Sequence, residues 1–313
     1  MRLTPVQVGN IQIENNVFLA PLAGYTNYPF RRICKRYGAG LCYTEMVSGK
    51  GLKYGSENTE ELLYTDGQEG ICAAQIFGSD PDILRAACEH EKMQPFPIVD
   101  INMGCPVPKI YKNGEGSALL EDPRLAENIV RECVKSGKII TVKFRIGITD
   151  KTLITTEFAK RMEGAGASLI TVHGRTKEKI YAGEVNFQEI AAAKRAVKIP
   201  VIANGGVFSN EDAEKLMAET GADGVMVARA ALFDPQIFCD LTGKARTSRL
   251  KMFEDQLKWT EQVCDERFTV VFMRKMAAFY VKGTRGAAAF KERLFRAQTT
   301  EEILSIAREI WKE

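Results

Sequence analysis

The stretch Ile98-Val99-Asp100-Ile101-Asn102-Met103-Gly104-Cys105-Pro106 decides the fold: a short β-rich run closes on a polar, glycine-containing turn. The same pattern recurs at residues 17–20, 41–44, 72–76, 139–145, 169–173, 201–204 and 224–228, making eight runs in all. Each is followed by a helical stretch. Short, largely apolar runs suit strands covered by helices on the outside, as in parallel sheets. Ser79-Asp80-Pro81, Asp122-Pro123 and Ser209-Asn210-Glu211-Asp212 carry helix-start signals: a capping side chain, then proline or acids in the first turn. Eight βα units over about 230 residues close most naturally into a (β/α)8 TIM barrel, because open doubly wound sheets usually stop earlier. An opening hairpin is expected over residues 6–13.

Beyond the last run the pattern changes. Residues 252–264, 270–282 and 301–311 read as helices, the last with Thr299-Thr300-Glu301-Glu302 as its start. We therefore expect a barrel over 1–242 and a small all-helical domain over 243–313. The 313 residues carry a net charge of +3, unevenly spread. From Asp240 onward there are 15 Lys+Arg against 11 Asp+Glu, and between Arg267 and Arg296 eight cations face the single anion Glu292. Such a tail fits a polyanion such as RNA.

No membrane-length apolar window and no leader-like start are present, so a cytoplasmic location is expected. The eight cysteines form no CxxC pair and only two histidines accompany them. Reduced thiols are expected in place of a metal site.

Polar and glycine positions gather where the runs end: Pro21-Leu22-Ala23-Gly24, Glu45, Gln75, Asn102 to Pro106, Lys143 to Arg145, His173-Gly174-Arg175, Asn204-Gly205-Gly206 and Ala228-Arg229. In a parallel barrel these ends share one face, the face that carries active sites. Asn204-Gly205-Gly206 and Ala228-Arg229 follow strands seven and eight, where backbone N–H groups and a helix start hold phosphate. GxGxxG and GxxxxGK[ST] are absent, so FMN fits better than a dinucleotide or P-loop ligand. Lys143 is placed to stabilise an anionic reduced flavin, Gln75 to bond a ring edge, and His173 to donate to the cofactor or its phosphate. Cys105, held in a Gly-Cys-Pro turn with no evident base, reads as a proton donor.

These motifs together resemble the tRNA-dihydrouridine synthases, in the pattern of the bacterial B-type, over nearly the whole chain. The carriers are residues 19–24, Gln75-Ile76-Phe77-Gly78, residues 100–106, Val142-Lys143-Phe144-Arg145, residues 171–176, Asn204-Gly205-Gly206, and in the tail Tyr280-Val281-Lys282-Gly283 with Gly286-Ala287. The resemblance implies NADPH-driven, FMN-mediated reduction of a uridine in the D-loop of tRNA. It assigns Pro21, Leu22, Ala23, Gln75, Lys143, His173, Asn204, Gly205, Gly206, Ala228 and Arg229 to FMN. Asn102, Arg145 and Tyr181 fall to the uracil, with Cys105 protonating C5 after hydride reaches C6. Three positions depart from the family pattern: Leu22 stands for methionine, Gly206 for an acid and Ala228 for glycine. Lys109 and Lys112 lie in the loop after Cys105 and are candidates for RNA contact; Gly114 and Gly116 would let that loop close on substrate.

Two rival readings remain at this level. A dihydroorotate dehydrogenase-like FMN barrel explains the rim but not the tail, and a non-catalytic RNA binder explains the tail but not Cys105 and Lys143. No protein partner is implied, and a monomer is expected.

Overall fold

The computed structural model describes residues 2–312. Hairpin strands β1 (Val6–Val8) and β2 (Ile11–Ile13) pair antiparallel around Gly9-Asn10. The barrel follows as β3 (Val17–Leu19), β4 (Cys42–Ser48), β5 (Cys72–Phe77), β6 (Ile98–Met103), β7 (Ile139–Arg145), β8 (Leu169–His173), β9 (Val201–Asn204) and β10 (Gly224–Val227). All are parallel, in the order β3-β10-β9-β8-β7-β6-β5-β4. The ring closes where Leu19 N–H donates to Leu41 at 2.9 Å and Gly40 N–H donates to Val17 at 2.7 Å. Eight right-twisted strands with helices outside bury both strand faces, which the sequence runs anticipated.

Side-chain alternation divides the interior from the shell. In β7, Val142 and Phe144 join the outer core, with Phe144 packed 4.9 Å from Phe158, whereas Lys143 and Arg145 point inward. The inner core contains Phe18, Ile98, Leu169, Ile202 and Met226. Val6, Val8 and Ile13 of the hairpin join it, so the hairpin plugs the N-terminal end of the barrel. The opposite end stays open and polar.

The expected helix starts form. Asp80, Asp122, Ser209 and Thr299 each accept an N–H three residues on, and Pro81 and Pro123 take first-turn positions. The C-terminal region is helical, over Arg249–Val263, Glu266–Tyr280, Ala287–Arg296 and Thr300–Ile310. Ala287–Arg296 was not anticipated; its three alanines and spaced apolar residues carry a helical pattern that the preceding glycines obscured. Gly243, at φ +74°, ends the helix Ile237–Thr242 before this region. Met273, Met276, Tyr280 and Ile303 belong to the same buried cluster as the barrel's outer shell. The tail is thus packed against the barrel. Arg36 donates to Asp255 at 2.7 Å, and Arg32 lies 4.3 Å from the Trp259 ring.

Candidate active site

Every residue assigned above to the flavin, the uracil or the proton borders one cavity of about 570 Å³ at the C-terminal face of the barrel. Pro21, Leu22 and Ala23 follow β3; Gln75 is on β5; Asn102 and Cys105 end β6; Lys143 and Arg145 end β7. His173 ends β8, Tyr181 lies in the loop after it, Asn204, Gly205 and Gly206 end β9, and Ala228 and Arg229 end β10. The volume suits a drug-sized ligand.

Cys105 and Cys264 alone among the cysteines are partly accessible; the other six are buried. Burial pushes the Cys105 thiol up, against a Val107 N–H and the charges of Arg145 and Lys143. The thiol therefore stays protonated near neutral pH. Its backbone is held on both sides: Asn102 Oδ1 accepts from Cys105 N–H at 2.9 Å, and the Cys105 carbonyl accepts from Ser117 N–H at 3.0 Å and Ser117 Oγ at 2.8 Å. In this structure the far end of the loop after Cys105 is bonded back to it through Ser117. Gly116 has φ +62°, and a Cβ there would meet the Cys105 carbonyl at 2.9 Å, so the glycine serves close packing. Lys177 lies 4.0 Å from the Tyr111 ring, tying this loop to the one after β8. Lys109 and Lys112 are exposed on the helix Pro108–Lys112.

The cavity is strongly cationic. Burial lowers Lys143 to about 8, with Arg145 adding to the shift and Asp100 and Cys105 opposing it. Burial also lowers Arg145 to about 10. His173 is pushed well below the usual imidazole range, first by burial and then by Lys143, Arg145, Arg175 and Arg229, so its ring is neutral.

Asn102 and Arg145 are already engaged within the protein. Asn102 Nδ2 donates to Gln75 at 2.9 Å and meets Met46 Sδ at 3.5 Å. Arg145 donates to the carbonyls of Gly104, Thr176 and Ile180 at 2.9, 3.0 and 2.9 Å. Ile180 has φ +50°, the one positive value outside glycine among the described residues. Tyr181 lies over the Arg229 guanidinium at 4.6 Å from its ring centroid, and Phe208 covers that cation at 5.6 Å.

The sequence reading left Arg175 without a role, although its alternation with His173 aims both inward. Arg175 donates to the carbonyls of Ala182 and Gly183, yet its buried Nη1 finds no partner in the protein. That nitrogen would stand 3.4 Å from a Cβ built on Gly205, whose φ is +123°. An orphaned guanidinium N–H beside Gly205, where no side chain fills the space, can seat an anionic oxygen. Gly206, at φ +76°, is in a conformation that favours glycine over the acid of the family pattern. The tail also reaches the cavity: Phe279 contributes to its wall, 5.8 Å from Phe233 and 5.6 Å from Tyr25. These aromatic, proline and aliphatic walls fit a flat ring system, and the Gly205–Arg175 seat fits its phosphate.

A family model described as Dihydrouridine synthase (Dus) matches residues 18–312. The chain is 37% identical over 310 residues to a probable tRNA-dihydrouridine synthase 1 of Synechocystis sp., covering 95% of this chain and 87% of that one. It is 34% identical over 322 residues to tRNA-dihydrouridine synthase B of Pseudomonas aeruginosa, covering 99% and 97%. Among solved structures, a variant of NCR from Zymomonas mobilis aligns with TM-score 0.56 at 16% identity over 78% of this chain and 91% of that one. Morphinone reductase in complex with tetrahydroNAD aligns with TM-score 0.54 at 15% identity over 78% and 91%. The two structural likenesses concern the barrel fold alone.

Proposed function

The chain belongs to the dihydrouridine synthase family, and on that premise we propose that it reduces a uridine in the D-loop of tRNA to 5,6-dihydrouridine, with FMN as cofactor and NADPH as reductant. The observation that carries this reading is the meeting, in one cavity, of a protonated Cys105 thiol, the Lys143 ammonium and the Gly205–Arg175 anion seat. Gly205, Gly206, Arg175 and Arg229 would hold the phosphate; Pro21, Leu22, Ala23, Gln75, Lys143, His173, Asn204 and Ala228 would line the ring. Bound there, reduced FMN supplies the hydride for uracil C6.

The protein's own part is to orient the base and deliver a proton. Cys105 Sγ–H donates to C5, and the cationic surroundings take up the negative charge left on sulfur. Asn102 can offer only N–H to the base, because its oxygen is occupied by the Gly104 and Cys105 amides. Its second N–H, now on Met46 sulfur, suits a uracil carbonyl, as does the Arg145 guanidinium. The uridine leaves its stack to enter, while the basic tail binds tRNA phosphates.

The test is direct. Purified protein should be yellow, bleach with NADPH, and reoxidise with unmodified tRNA but not with orotate, yielding dihydrouridine. Cys105→Ala should stay yellow and lose about 10²- to 10⁴-fold in turnover; full activity in that variant would remove Cys105 from its role.

A further inference from the structure

Beneath the cavity floor lies a buried polar chain whose deepest member, Asp100, has no part in the reaction described above. Asp100, fully buried on β6, accepts from Gln75 Nε2 at 2.7 Å through one carboxylate oxygen and from Thr141 Oγ1 at 2.6 Å through the other. Gln75 Oε1 accepts from Asn102 Nδ2 at 2.9 Å. Asn102 Oδ1 accepts the N–H groups of Gly104 at 3.1 Å and Cys105 at 2.9 Å.

We propose that Asp100 is a positioning residue for the proton donor, its carboxylate setting the direction of a carboxamide chain through Gln75 and Asn102 to the backbone of Cys105. This rests on the assignment of Cys105 above. A carboxylate only accepts, so Gln75 must turn its NH2 toward Asp100 and its oxygen toward Asn102. Asn102 must then give its NH2 to Gln75 and its oxygen to the Cys105 turn. Each amide has one orientation that satisfies both neighbours, and Asp100 selects it. Reversing the first link would set NH2 against NH2 at Asn102 or, were Asn102 to turn as well, leave the Cys105 N–H facing a donor; either cost is borne in a buried place. Burial raises Asp100 to about 6, opposed by its bonds to Gln75 and Thr141 and by Lys143, so the carboxylate is ionised near neutral pH. Asp100 does not border the cavity, so it acts through its neighbours.

The test follows iodoacetamide labelling of Cys105 and Cys264 in the same full-length, flavin-loaded sample by peptide mass spectrometry, alongside kcat and KM for tRNA. Asp100→Leu should accelerate Cys105 labelling about fivefold, the worth of one hydrogen bond, and leave Cys264 unchanged. It should lower kcat about tenfold or more by misplacing the thiol, with KM for tRNA held. Asp100→Asn keeps an oxygen toward Gln75 while the Thr141 hydroxyl can accept its NH2, so it should stay near wild type in both. If Asp100→Leu does not fold, Gln75→Leu breaks the chain one link later and must accelerate Cys105 alone. Unchanged Cys105 labelling, equal acceleration of Cys264, or Asp100→Asn behaving like Asp100→Leu each overturns the proposal. A wild-type protein that reduces no tRNA uridine sinks the functional reading instead, and the labelling ratio still decides the chain.

Discussion

Lys275, on a helix of the C-terminal region, donates its ammonium to the backbone carbonyl of Gly24 at 2.6 Å, across 251 residues of sequence. The N–H of the same glycine is taken by Glu45 of β4. Both polar groups of Gly24 are therefore held by side chains, one from the barrel and one from the tail. The Tyr25 ring lies 4.2 Å from that ammonium. The segment next to Pro21, Leu22 and Ala23 takes its shape partly from the tail.

Lys275→Met should therefore weaken flavin binding although the residue lies outside the cavity wall. Losing one charged hydrogen bond, partly screened by solvent, corresponds to about 1 kcal/mol, or about fivefold in Kd. Flavin fluorescence on dilution reads this, and an unchanged Kd would show that the tail does not support the segment.

On the function proposed, Lys143 should set the pH dependence of FMN binding. Its folded value near 8 means that the ammonium is charged below that pH and neutral above it. FMN affinity should fall as pH rises through about 8, and Lys143→Met should flatten that limb. Stability of the flavin-free protein runs the other way. An unfolded lysine titrates near about 10.4, so between these values the unfolded chain binds the extra proton and stability rises with pH. Urea titrations at stepped pH check the sign; a slope that Lys143→Met leaves intact would assign it to another group.

Gly205→Ala should empty the phosphate seat without unfolding the barrel. A Cβ there would meet His173 and Val185 at 3.1 Å, at a φ of +123°. Strain of this kind costs about 1–3 kcal/mol; the free backbone would relieve it by shifting out of the binding geometry, so FMN affinity should drop by about tenfold or more. Circular dichroism should stay native, and tight flavin binding by the variant would count against the seat.

Arg267 and Arg285 are exposed on the tail. Reversing each to Glu should reduce tRNA affinity and lower the slope of log Kd against log salt by about 0.7–0.9 for each RNA phosphate no longer neutralised. FMN binding should not change. Filter binding across a salt series measures this, and an unaltered slope would move the RNA-binding surface elsewhere.

Strands β7, β8 and β9 fall on the residue ranges that the sequence runs define, and every assigned site residue reaches one cavity. This was legible because strand periodicity and turn chemistry are local: alternation alone states that Lys143 and Arg145 share a face and that Val142 and Phe144 take the other. Closure of eight parallel strands then leaves one place for their C-terminal ends. What lay beyond the sequence was pairing across distance. Nothing near Asp100 in the chain announces its bonds to Gln75 and Thr141, nothing near Gly24 announces Lys275, and nothing near Arg175 announces that Gly205 arrives beside its open donor. A side chain's intrinsic chemistry belongs to the sequence; its hydrogen-bond direction, its charge state and the walls it meets depend on what folding brings within about 3 Å of it.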